Sequence, residues 1–438
     1  MRSSDEDSRL WEDGLAVVRT LENAGHQAYL VGGCVRDRWL GRPLNDIDIA
    51  TSAEPAAVMA LFSKTLPTGL KHGTVTVMEG GRPFEVTTFR REAGYSDGRR
   101  PDEVAFVREV EEDLARRDFT FNAMAFSSGG ELIDPFGGQD ALRAGVVDCV
   151  GNASERFGED ALRMLRAIRF AAELGFELLP DVWDGIVKQR SRLKQVALER
   201  IGAEWDKMIA GSGPEQAMHY LFKSGLLAYA KEPLPEAIVQ AAERYRLNGS
   251  PWEWDPWGAA VSDEASLGHL LCLPSLPETD LRWAALLTGM NVGETDASAL
   301  LRTLRIGGQR TARIASVAGF FERLSGCRPD EWRQGWIEAV LDFGRPVAED
   351  ALAVQEACGE PWDAARSWLE DMPIAAVAEL NVKGDELSGY LQQPPGPWIA
   401  RTLRQLLAEA ASGRLPNEKF ALLSAAKEMR ASKREGSE

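Results

Sequence analysis

The stretch YLVGGCVRDRWLGRPLNDIDIATS, residues 29–52, decides the fold of the first part of this chain. It begins with an apolar run that ends at Gly32 and Gly33, and it closes on a second apolar run that two aspartates interrupt. The first run predicts a buried strand entering a turn, residues 36–40 predict a short helix, and NDIDIAT predicts a second strand. The pattern therefore brings a tight, glycine-rich turn close to a pair of acidic residues.

The two aspartates are the first candidate site. Because side chains two residues apart on a strand point to the same face, Asp46 and Asp48 should project together while Ile47 and Ile49 face the core. Neighbouring carboxylates repel unless a cation lies between them, and Mg²⁺ usually combines one or two carboxylates with substrate phosphates and water. The glycine turn would let the backbone approach such phosphates, and Arg36 would donate to them. The alternative is an ordinary turn with solvated aspartates.

The flanking sequence predicts a small part with strands, followed by a long helical part. Residues 12–25 have helical spacing, and residues 72–89 carry two β-rich runs around a Gly-Gly pair, which predicts a hairpin. The polar segment 90–106 predicts a loop. From about residue 155 the pattern is helical almost to the end, with Pro-rich breaks between helices. The order of these signals indicates an α+β protein.

Composition narrows the class of protein. The chain has 438 residues, 44% of them hydrophobic, which is enough for two to four domains with substantial cores. A formal net charge of -17 argues against non-specific nucleic-acid binding through overall charge, but it leaves room for a local basic surface. An acidic N-terminal segment and the lack of a long apolar run predict a cytoplasmic protein without membrane spans. The five cysteines form no CxxC pair, so we expect free thiols rather than a zinc site.

Five ordered segments of residues 29–176 resemble one family. LVGGCVRD…NDIDIAT is followed by FEVTTFR, RRDFTFNAMAF, DPFGGQDAL and EDALRMLRAIRF. Together they resemble the class II tRNA nucleotidyltransferases, which are related to DNA polymerase beta and include tRNA CCA-adding enzymes and bacterial poly(A) polymerases. The resemblance implies a small N-terminal nucleotidyltransferase head with a polymerase-beta-like sheet and helices. An elongated all-α neck, body and tail would follow it.

The resemblance assigns the acidic residues to metal binding. In the family the paired aspartates hold two Mg²⁺ ions, so Asp46 and Asp48 would be metal ligands and catalytic residues. Such a site activates the RNA 3′-hydroxyl and holds the triphosphate of the incoming nucleotide. Glu85 of FEVTTFR matches a third catalytic carboxylate found in many relatives. Its alternative is a cross-strand partner for an arginine.

The segment RRDFTFNA matches the family's contact with the nucleotide sugar. Arg117 would reach the phosphates or the ribose, while Asp118 and Asn122, expected one helical turn apart, would contact the ribose hydroxyls. Arg116 has a solvated surface position as its alternative.

The segment EDALRMLRAIRF carries the base-selection hypothesis. Asp160 and Arg163 have i,i+3 spacing, which usually marks an exposed ion pair on one helix. In the family the matching residues select the base. A carboxylate accepts from the exocyclic amines of cytosine and adenine, and a guanidinium donates to their ring nitrogens, whereas uracil and guanine present the opposite pattern. Because an unpaired buried polar group costs about 1–3 kcal/mol, two mismatches give roughly hundredfold discrimination.

Further residues of this segment extend the nucleotide site. Glu159 would orient Arg163, Arg166 would join the pocket, and Arg169 would brace head against neck, although relatives use both arginine positions near the nucleotide. In the following segment ERIGAEWDKMI, Glu199, Arg200 and Glu204 would stabilise the turn that supports the pocket. The complete set of expected nucleotide-binding residues is Gly32, Gly33, Arg36, Arg117, Asp118, Asn122, Asp160, Arg163, Arg166 and Arg169.

The resemblance implies template-independent addition of CCA to tRNA 3′ ends, with CTP and ATP as substrates and Mg²⁺ as cofactor. Segment 90–106 resembles the loop with which relatives switch from CTP to ATP, and CC-adding relatives tend to have it shortened. A CC-adding enzyme, an A-adding enzyme and a poly(A) polymerase remain as alternatives. A non-enzymatic RNA-binding module is disfavoured because both aspartates are intact.

Four parts are expected along the chain. They are a catalytic head over residues 1–145, a base-selecting neck over 146–210, a helical body over 211–330 and a tRNA-binding helical tail over 331–438.

Overall fold

The computed structural model of the chain describes residues 4–94, 103–247, 270–359 and 362–435. It divides into two compact units, of which the first takes in residues 1–234 and 245–247, and the second takes in the rest. Strands occur among the described residues only up to Leu178, and helices follow almost without interruption. The predicted α+β fold, with a sheet first and a helical part after it, is confirmed.

The first unit contains all the described strands. They are β1 (Ala28–Val31), β2 (Asp48–Thr51), β3 (Thr65–Gly69), β4 (Thr74–Glu79), β5 (Arg82–Thr88), β6 (Arg90–Ala93), β7 (Glu103–Phe106), β8 (Ala125–Phe126), β9 (Leu132–Ile133), β10 (Val146–Val147) and β11 (Glu177–Leu178). Its helices are α1 (Ser4–Asn23), α2 (Gly33–Trp39), α3 (Pro55–Leu61), α4 (Val110–Ala115), α5 (Gly138–Ala144), α6 (Ala153–Glu159), α7 (Leu162–Leu174), α8 (Pro180–Gln189), α9 (Leu198–Ala210) and α10 (Pro214–Ser224). The strand, turn and short helix predicted over residues 28–40 are therefore present.

A seven-stranded sheet forms the centre of this unit, in the order β3-β4-β5-β2-β1-β8-β9. Strands β2 and β5 are parallel, whereas β1 is antiparallel to β2. This topology brings the end of β1 and the start of β2 to one edge. Val31 lies opposite Asp48, and Asp48 lies opposite Glu85. The glycine turn and the two acidic residues thus meet although up to 53 residues separate them in sequence (85 − 32 = 53).

One face of β2 packs against α1. Ile47 and Ile49 are 2% and 0% exposed. A Cβ atom at Gly14 of α1 would lie 3.1 Å from Ile47 and 3.3 Å from Leu30, so the helix needs its glycine to pack this closely. Burying each isoleucine contributes on the order of 2–3 kcal/mol. The prediction that these two isoleucines face the core is confirmed.

The other face of β2 is only partly covered. Ala50 is buried with Val31 in a cluster that includes Val110 and Leu114 of α4. Asp48 shares this face because it is two residues from Ala50, but it lies at the exposed start of the strand. The face therefore changes from a core to an open cleft within one repeat of the strand.

The β4–β5 hairpin also follows its sequence. Glu79 pairs with Arg82, and the two glycines between them have φ angles of 56° and 79°. Positive φ at both central residues is what a two-residue type I′ turn requires, and glycine adopts it without strain.

The prediction of a loop over residues 90–106 is wrong at both ends of the segment. Strand β6 pairs antiparallel with β7, and Arg90 lies opposite Phe106. The segment is polar, so its periodicity gave no strand signal, yet backbone pairing and partner contacts can place such residues in a strand. Residues 95–102, the middle of the segment that resembles the family's loop, lie outside the described residues.

A break between α6 and α7 corrects a second prediction. Asp160 was expected one turn before Arg163 on a continuous helix, but it has extended backbone angles, with φ −137° and ψ 106°. Its carboxylate accepts from the N–H of Leu162 at 3.0 Å, as a capping residue does at the start of a helix. The side chain of Asp160 is therefore directed by a turn and not by the helical repeat.

The helices of the second unit follow α11 (Glu236–Leu247), which both units share. They are α12 (Thr279–Gly289), α13 (Glu294–Thr303), α14 (Gly308–Ser325), α15 (Trp332–Phe343), α16 (Arg345–Ala357), α17 (Asp363–Glu370), α18 (Gly384–Tyr390), α19 (Trp398–Ala411) and α20 (Lys419–Glu435). Cys272 and Cys358 form a disulfide, so the expectation of free thiols is wrong for these two and holds for Cys34, Cys149 and Cys327. Among the described helices, none is both long enough and apolar enough to cross a membrane.

Candidate active site

Three carboxylates gather at the edge of the sheet. Asp46 precedes β2, Asp48 begins it, and Glu85 lies directly opposite Asp48 on β5. All three side chains are exposed, whereas the neighbouring Ile47 and Phe84 are buried. The alternation of the two strands thus directs the acidic side chains into the same cleft.

The turn after β1 lies next to these carboxylates. Gly32 has a φ of 76°, and a Cβ atom there would lie 2.7 Å from Nη1 of Arg117 and 3.9 Å from Oδ2 of Asp48. A side chain at this position would therefore be strained by its backbone and would also displace the arginine. Gly33 follows as the first residue of α2. The space that the glycine leaves open lies between an acidic and a basic group.

The three carboxylates at the edge of the sheet repel one another, and the nearby Arg117 does not offset this repulsion in full. Desolvation within the cleft and the charge of Asp46 raise the pKa of Asp48 to about 6, with a smaller contribution from Glu85. The Arg117 charge opposes this shift without cancelling it. The side chain is open to solvent on one side, so the neighbouring carboxylates contribute to the shift along with burial. Carboxylates crowded in this way are the donor set that a hard divalent cation neutralises.

Arg117 pairs with a buried carboxylate, that of Asp113. Asp113 of α4 is 1% exposed and lies 3.5 Å from Arg117 and 2.9 Å from Arg116. Arg116 also pairs with Glu92 of β6 at 3.2 Å, so the solvated position considered for it is wrong. In contrast, Nε of Arg117 is buried and makes no hydrogen bond to any described residue. Arg117, which lines the cleft, thus has one buried donor without a partner.

A chain of four polar side chains crosses the floor of the cleft. Arg36 donates to the side-chain oxygen of Asn122 at 2.7 Å, Asn122 donates to Asp118 at 3.3 Å, and Arg166 donates to Asp118 at 2.7 Å. Asp118 and Asn122 meet across a 3₁₀ turn (Thr120–Asn122) and not across a turn of α-helix. Burial alone would raise the pKa of Asp118, but the charges of Arg166 and Arg163 outweigh it, and the pKa falls to about 2.

Asp160 and Arg163 face the cleft with separate partners. The Asp160 carboxylate accepts from Arg200 of α9 at 2.7 Å. Arg163 donates to Glu159 at 2.7 Å and to the backbone carbonyl of Arg116 at 3.2 Å. The expectation that Glu159 orients Arg163 agrees with this geometry, whereas the surface ion pair between Asp160 and Arg163 does not form. Each side chain is held on one side and retains hydrogen-bonding capacity on the other.

Arg169 binds within the helices instead of joining them to the sheet. It donates to Glu204 of α9 and to Glu173 of α7, both at 2.7 Å. Arg42, which follows α2, reaches the backbone carbonyl of Glu173 at 3.0 Å. Arg169 therefore makes no direct contact of the kind expected between head and neck, and contributes only through Glu173, which Arg42 reaches.

The predicted residues meet in one cleft of about 660 Å³. Every residue expected from the sequence to bind metal or nucleotide lines it. The lining residues for which the sequence predicted no role in binding are Val31, Ile49, Thr74, Thr87, Leu162 and Phe170, and Arg90 of the segment 90–106 lines the cleft as well. Another unpredicted residue is Asp113, whose i,i+3 and i,i+4 spacing to two arginines was a usable signal. Phe170 gave no such signal, because an aromatic residue on a helix usually belongs to the core.

Comparison with known proteins places these features in a family. The model of the poly(A) polymerase head domain matches residues 28–148, a model of an RNA- and SrmB-binding site of polymerase A matches 175–237, and a model of tRNA nucleotidyltransferase domain 2 matches 275–426. The CCA-adding enzyme of Geobacillus stearothermophilus is 37% identical over 411 residues, which are 93% of this chain and 95% of the relative. That of Bacillus cereus strain G9842 is 37% identical over 410 residues, 92% of this chain and 95% of the relative.

Solved structures agree with the sequence comparisons. The crystal structure of the Bacillus stearothermophilus CCA-adding enzyme in complex with CTP matches with a TM-score of 0.75 and 33% identity, over 98% of this chain and 99% of the other. The sheet with acidic residues at its edge and the arginine-rich helices that line the same cleft are features of a nucleotidyltransferase, and the comparisons show that this chain is one. More narrowly, the chain belongs to the family of CCA-adding enzymes.

Proposed function

We propose that this nucleotidyltransferase adds C, C and A in turn to the 3′ end of tRNA, taking the nucleotides from CTP and ATP without a nucleic-acid template and releasing pyrophosphate. The observation that carries the proposal is the shared cleft, in which the acidic residues at the edge of the sheet face Asp160 and Arg163. One side of the cleft is suited to phosphoryl chemistry and the other to hydrogen bonding with a base. Family membership over nearly the whole chain supports the same assignment.

We assign Mg²⁺ binding to Asp46 and Asp48. Mg²⁺ usually combines one or two protein carboxylates with substrate phosphates and water, so these two aspartates are a sufficient protein contribution. Glu85, which lies opposite Asp48 on β5, is the candidate third carboxylate. Asp46 and Asp48 would hold the ions, which would supply Lewis-acid chemistry at the phosphate oxygens and at the 3′-hydroxyl.

The basic residues of the cleft bind the rest of the nucleotide. Arg117 binds the triphosphate through its guanidinium group, beside the open space at Gly32. The ribose lies near Asp118 and Asn122, whose contacts to Arg166 and Arg36 keep both side chains in place. These side chains hold the triphosphate in line with the attacking 3′-hydroxyl. They position the substrate and do not themselves react with it.

Asp160 and Arg163 select the base. Cytosine and adenine both present an amine to a carboxylate and a ring nitrogen to a guanidinium, so the same two residues accept both bases. Uracil or guanine would leave Asp160 and Arg163 facing groups of like polarity. Because both side chains are already held by Arg200 and Glu159, little ordering is needed when the nucleotide binds.

The segment 90–106, the division of the chain and its composition bear on which nucleotides are added and to which RNA. The segment 90–106 has the length expected of an enzyme that completes the triplet, and its base contacts the site through Glu92 and Arg116. We retain the division into a head (1–145), neck (146–210), body (211–330) and tRNA-binding tail (331–438), and a tRNA substrate favours the cytoplasm. The acidic composition disfavours a poly(A) polymerase.

The test is an assay of tRNA 3′ ends. Purified protein and MgCl₂ are incubated with tRNA lacking CCA, tRNA ending in C and tRNA ending in CC, with CTP and ATP supplied separately and together, and the ends are sequenced. Completion to CCA on all three tRNAs is the expected result. A product that stops at CC indicates a CC-adding enzyme, action on the CC end alone indicates an A-adding enzyme, and long A tracts indicate a poly(A) polymerase.

A further inference from the structure

Phe170 occupies an unusual position among the residues of the cleft. Its side chain lines the cleft, although the residue is only 5% exposed. Three guanidinium groups surround its ring: the central carbon of Arg169 is 4.0 Å from the ring centroid, that of Arg36 is 5.0 Å away, and that of Arg166 is 5.3 Å away. Three such contacts to one ring exceed what core packing requires.

These arginines come from different parts of the first unit. Arg36 belongs to α2, beside the glycine turn, whereas Arg166 and Arg169 belong to α7. Like charges brought this close repel each other, and burial makes the repulsion stronger. The negative face of an aromatic ring attracts each of them, so the ring lowers the cost of gathering the three charges.

The type of contact matters for ligand binding. A guanidinium that stacks on a ring keeps the N–H donors in its own plane available, whereas a carboxylate partner occupies them. Arg36 uses donors on Asn122 and Asp37, and Arg166 uses donors on Asp118. Arg169 uses its Nε and Nη1 donors on Glu204 and Glu173, which leaves its Nη2 group. Further acidic partners would consume the remaining donors. An aromatic ring holds the arginines without doing so.

The ring itself is fixed by an aromatic cluster. Phe119 and Phe121 meet Phe170 in edge-to-face arrangements, with centroids 5.6 and 5.5 Å away. Phe176 belongs to the same cluster through Phe121, at 6.3 Å, and is 8% exposed. None of the described arginines lies over the ring of Phe176. The chain thus offers a control aromatic residue with similar burial and no charged partner.

We propose that Phe170 is a positioning residue for nucleotide binding, which directs Arg36, Arg166 and Arg169 toward the phosphates and ribose of the incoming nucleoside triphosphate. The inference rests on the proposed function in that its ligand is a nucleoside triphosphate. Since the three arginines face parts that CTP and ATP share, Phe170 affects both nucleotides equally. Base selection by Asp160 and Arg163 does not depend on it.

The experiment varies the electrostatics of the ring at nearly constant shape. Mono-, di- and trifluorophenylalanine are incorporated at position 170, and the Kd values of CTP and ATP are measured by calorimetry with MgCl₂ present. Fluorination withdraws charge from the face of the ring, so the Kd of both nucleotides should rise stepwise, by about tenfold across the series. The same series at position 176 should leave both Kd values unchanged.

A purely structural role gives a different pattern. Packing alone predicts no dependence on fluorination at either position, and a flat series at position 170 would overturn the inference. Phe170→Leu and Phe176→Leu lose similar apolar area, so their thermal unfolding should be similar, while only Phe170→Leu should weaken nucleotide binding. Equal weakening by both would also overturn it. Because the readout is binding, failure of the wild-type protein in the 3′-end assay would reject the proposed function separately.

Discussion

Asp160 and Arg200 form an ion pair with a nitrogen-to-oxygen distance of 2.7 Å, which joins the break between α6 and α7 to helix α9. A second bond of 3.4 Å links the same two side chains, and the N–H of Leu162 binds the carboxylate at 3.0 Å. A residue 40 positions away therefore sets the orientation of the carboxylate that we assign to base selection.

Arg200→Met should weaken base selection. Without its partner, Asp160 is free to rotate away from the base, which removes one buried hydrogen bond worth about 1–3 kcal/mol. We expect kcat/KM for CTP and ATP to fall about tenfold, while the ratio of correct to incorrect incorporation, measured with UTP and GTP, also falls. Lys194→Ala, an exposed change in the preceding turn, is the control. An unchanged ratio in Arg200→Met would show that Arg200 only supports the fold.

Asp46→Asn and Asp48→Asn should each lower nucleotidyl transfer by roughly a thousandfold or more, because metal ions contribute several kcal/mol to the transition state. Their free energy of unfolding should be unchanged or higher, since each removes a charge from a crowded acidic group. Turnover is measured by CTP incorporation and stability by urea denaturation. Asp140→Asn, an exposed change on α5, should affect neither. Near wild-type turnover in Asp48→Asn would contradict the metal assignment.

Asp118 and Arg166 should be strongly coupled. The Asp118 side chain is 11% exposed and that of Arg166 is 32% exposed, so Asp118→Ala leaves a charge that solvent screens only in part and should destabilise the protein by about 1–3 kcal/mol. The double variant Asp118→Ala/Arg166→Met should lose less than the sum of the single changes. Urea denaturation of the four proteins gives the coupling energy. The exposed pair Asp140 and Arg143 serves as control and should show less than about 1 kcal/mol. Additive losses at Asp118 and Arg166 would refute the prediction.

His219 should make stability depend on pH. It is 9% exposed, and burial, followed by the charge of Lys223, lowers its pKa to about 4. The folded protein therefore holds the ring neutral, and its contribution is complete above about pH 6.5. That contribution, roughly 3 kcal/mol in total, is lost as the pH falls from about 6.5 to about 4.

The comparison that tests this is urea denaturation of wild type and His219→Gln between pH 7.5 and pH 4.5. The variant should lose less stability over this range, whereas His72→Gln, at an exposed position, should follow the wild type. Parallel curves for wild type and His219→Gln would disprove the assignment.

Local patterns in the sequence determined the parts of the site. Alternation along one strand was enough to predict that Asp46 and Asp48 share a face, and the Gly-Gly pairs marked turns whose φ angles are positive at Gly32, Gly80 and Gly81. These features depend on steric rules that act within a few residues, so they survive in any fold that keeps the strands.

Only the tertiary structure decided which charged groups meet. Spacing alone favoured an ion pair between Asp160 and Arg163. Because the chain turns at Asp160 and α9 lies close to it, the Asp160 carboxylate pairs with Arg200 instead. The approach of Arg36 to Phe170 could not be predicted either, since α2 and α7 are distant in sequence. Long charged side chains have many possible partners at similar energies. Their choice is fixed by where packing of the apolar faces places the backbone, and the sequence near each residue does not contain that information.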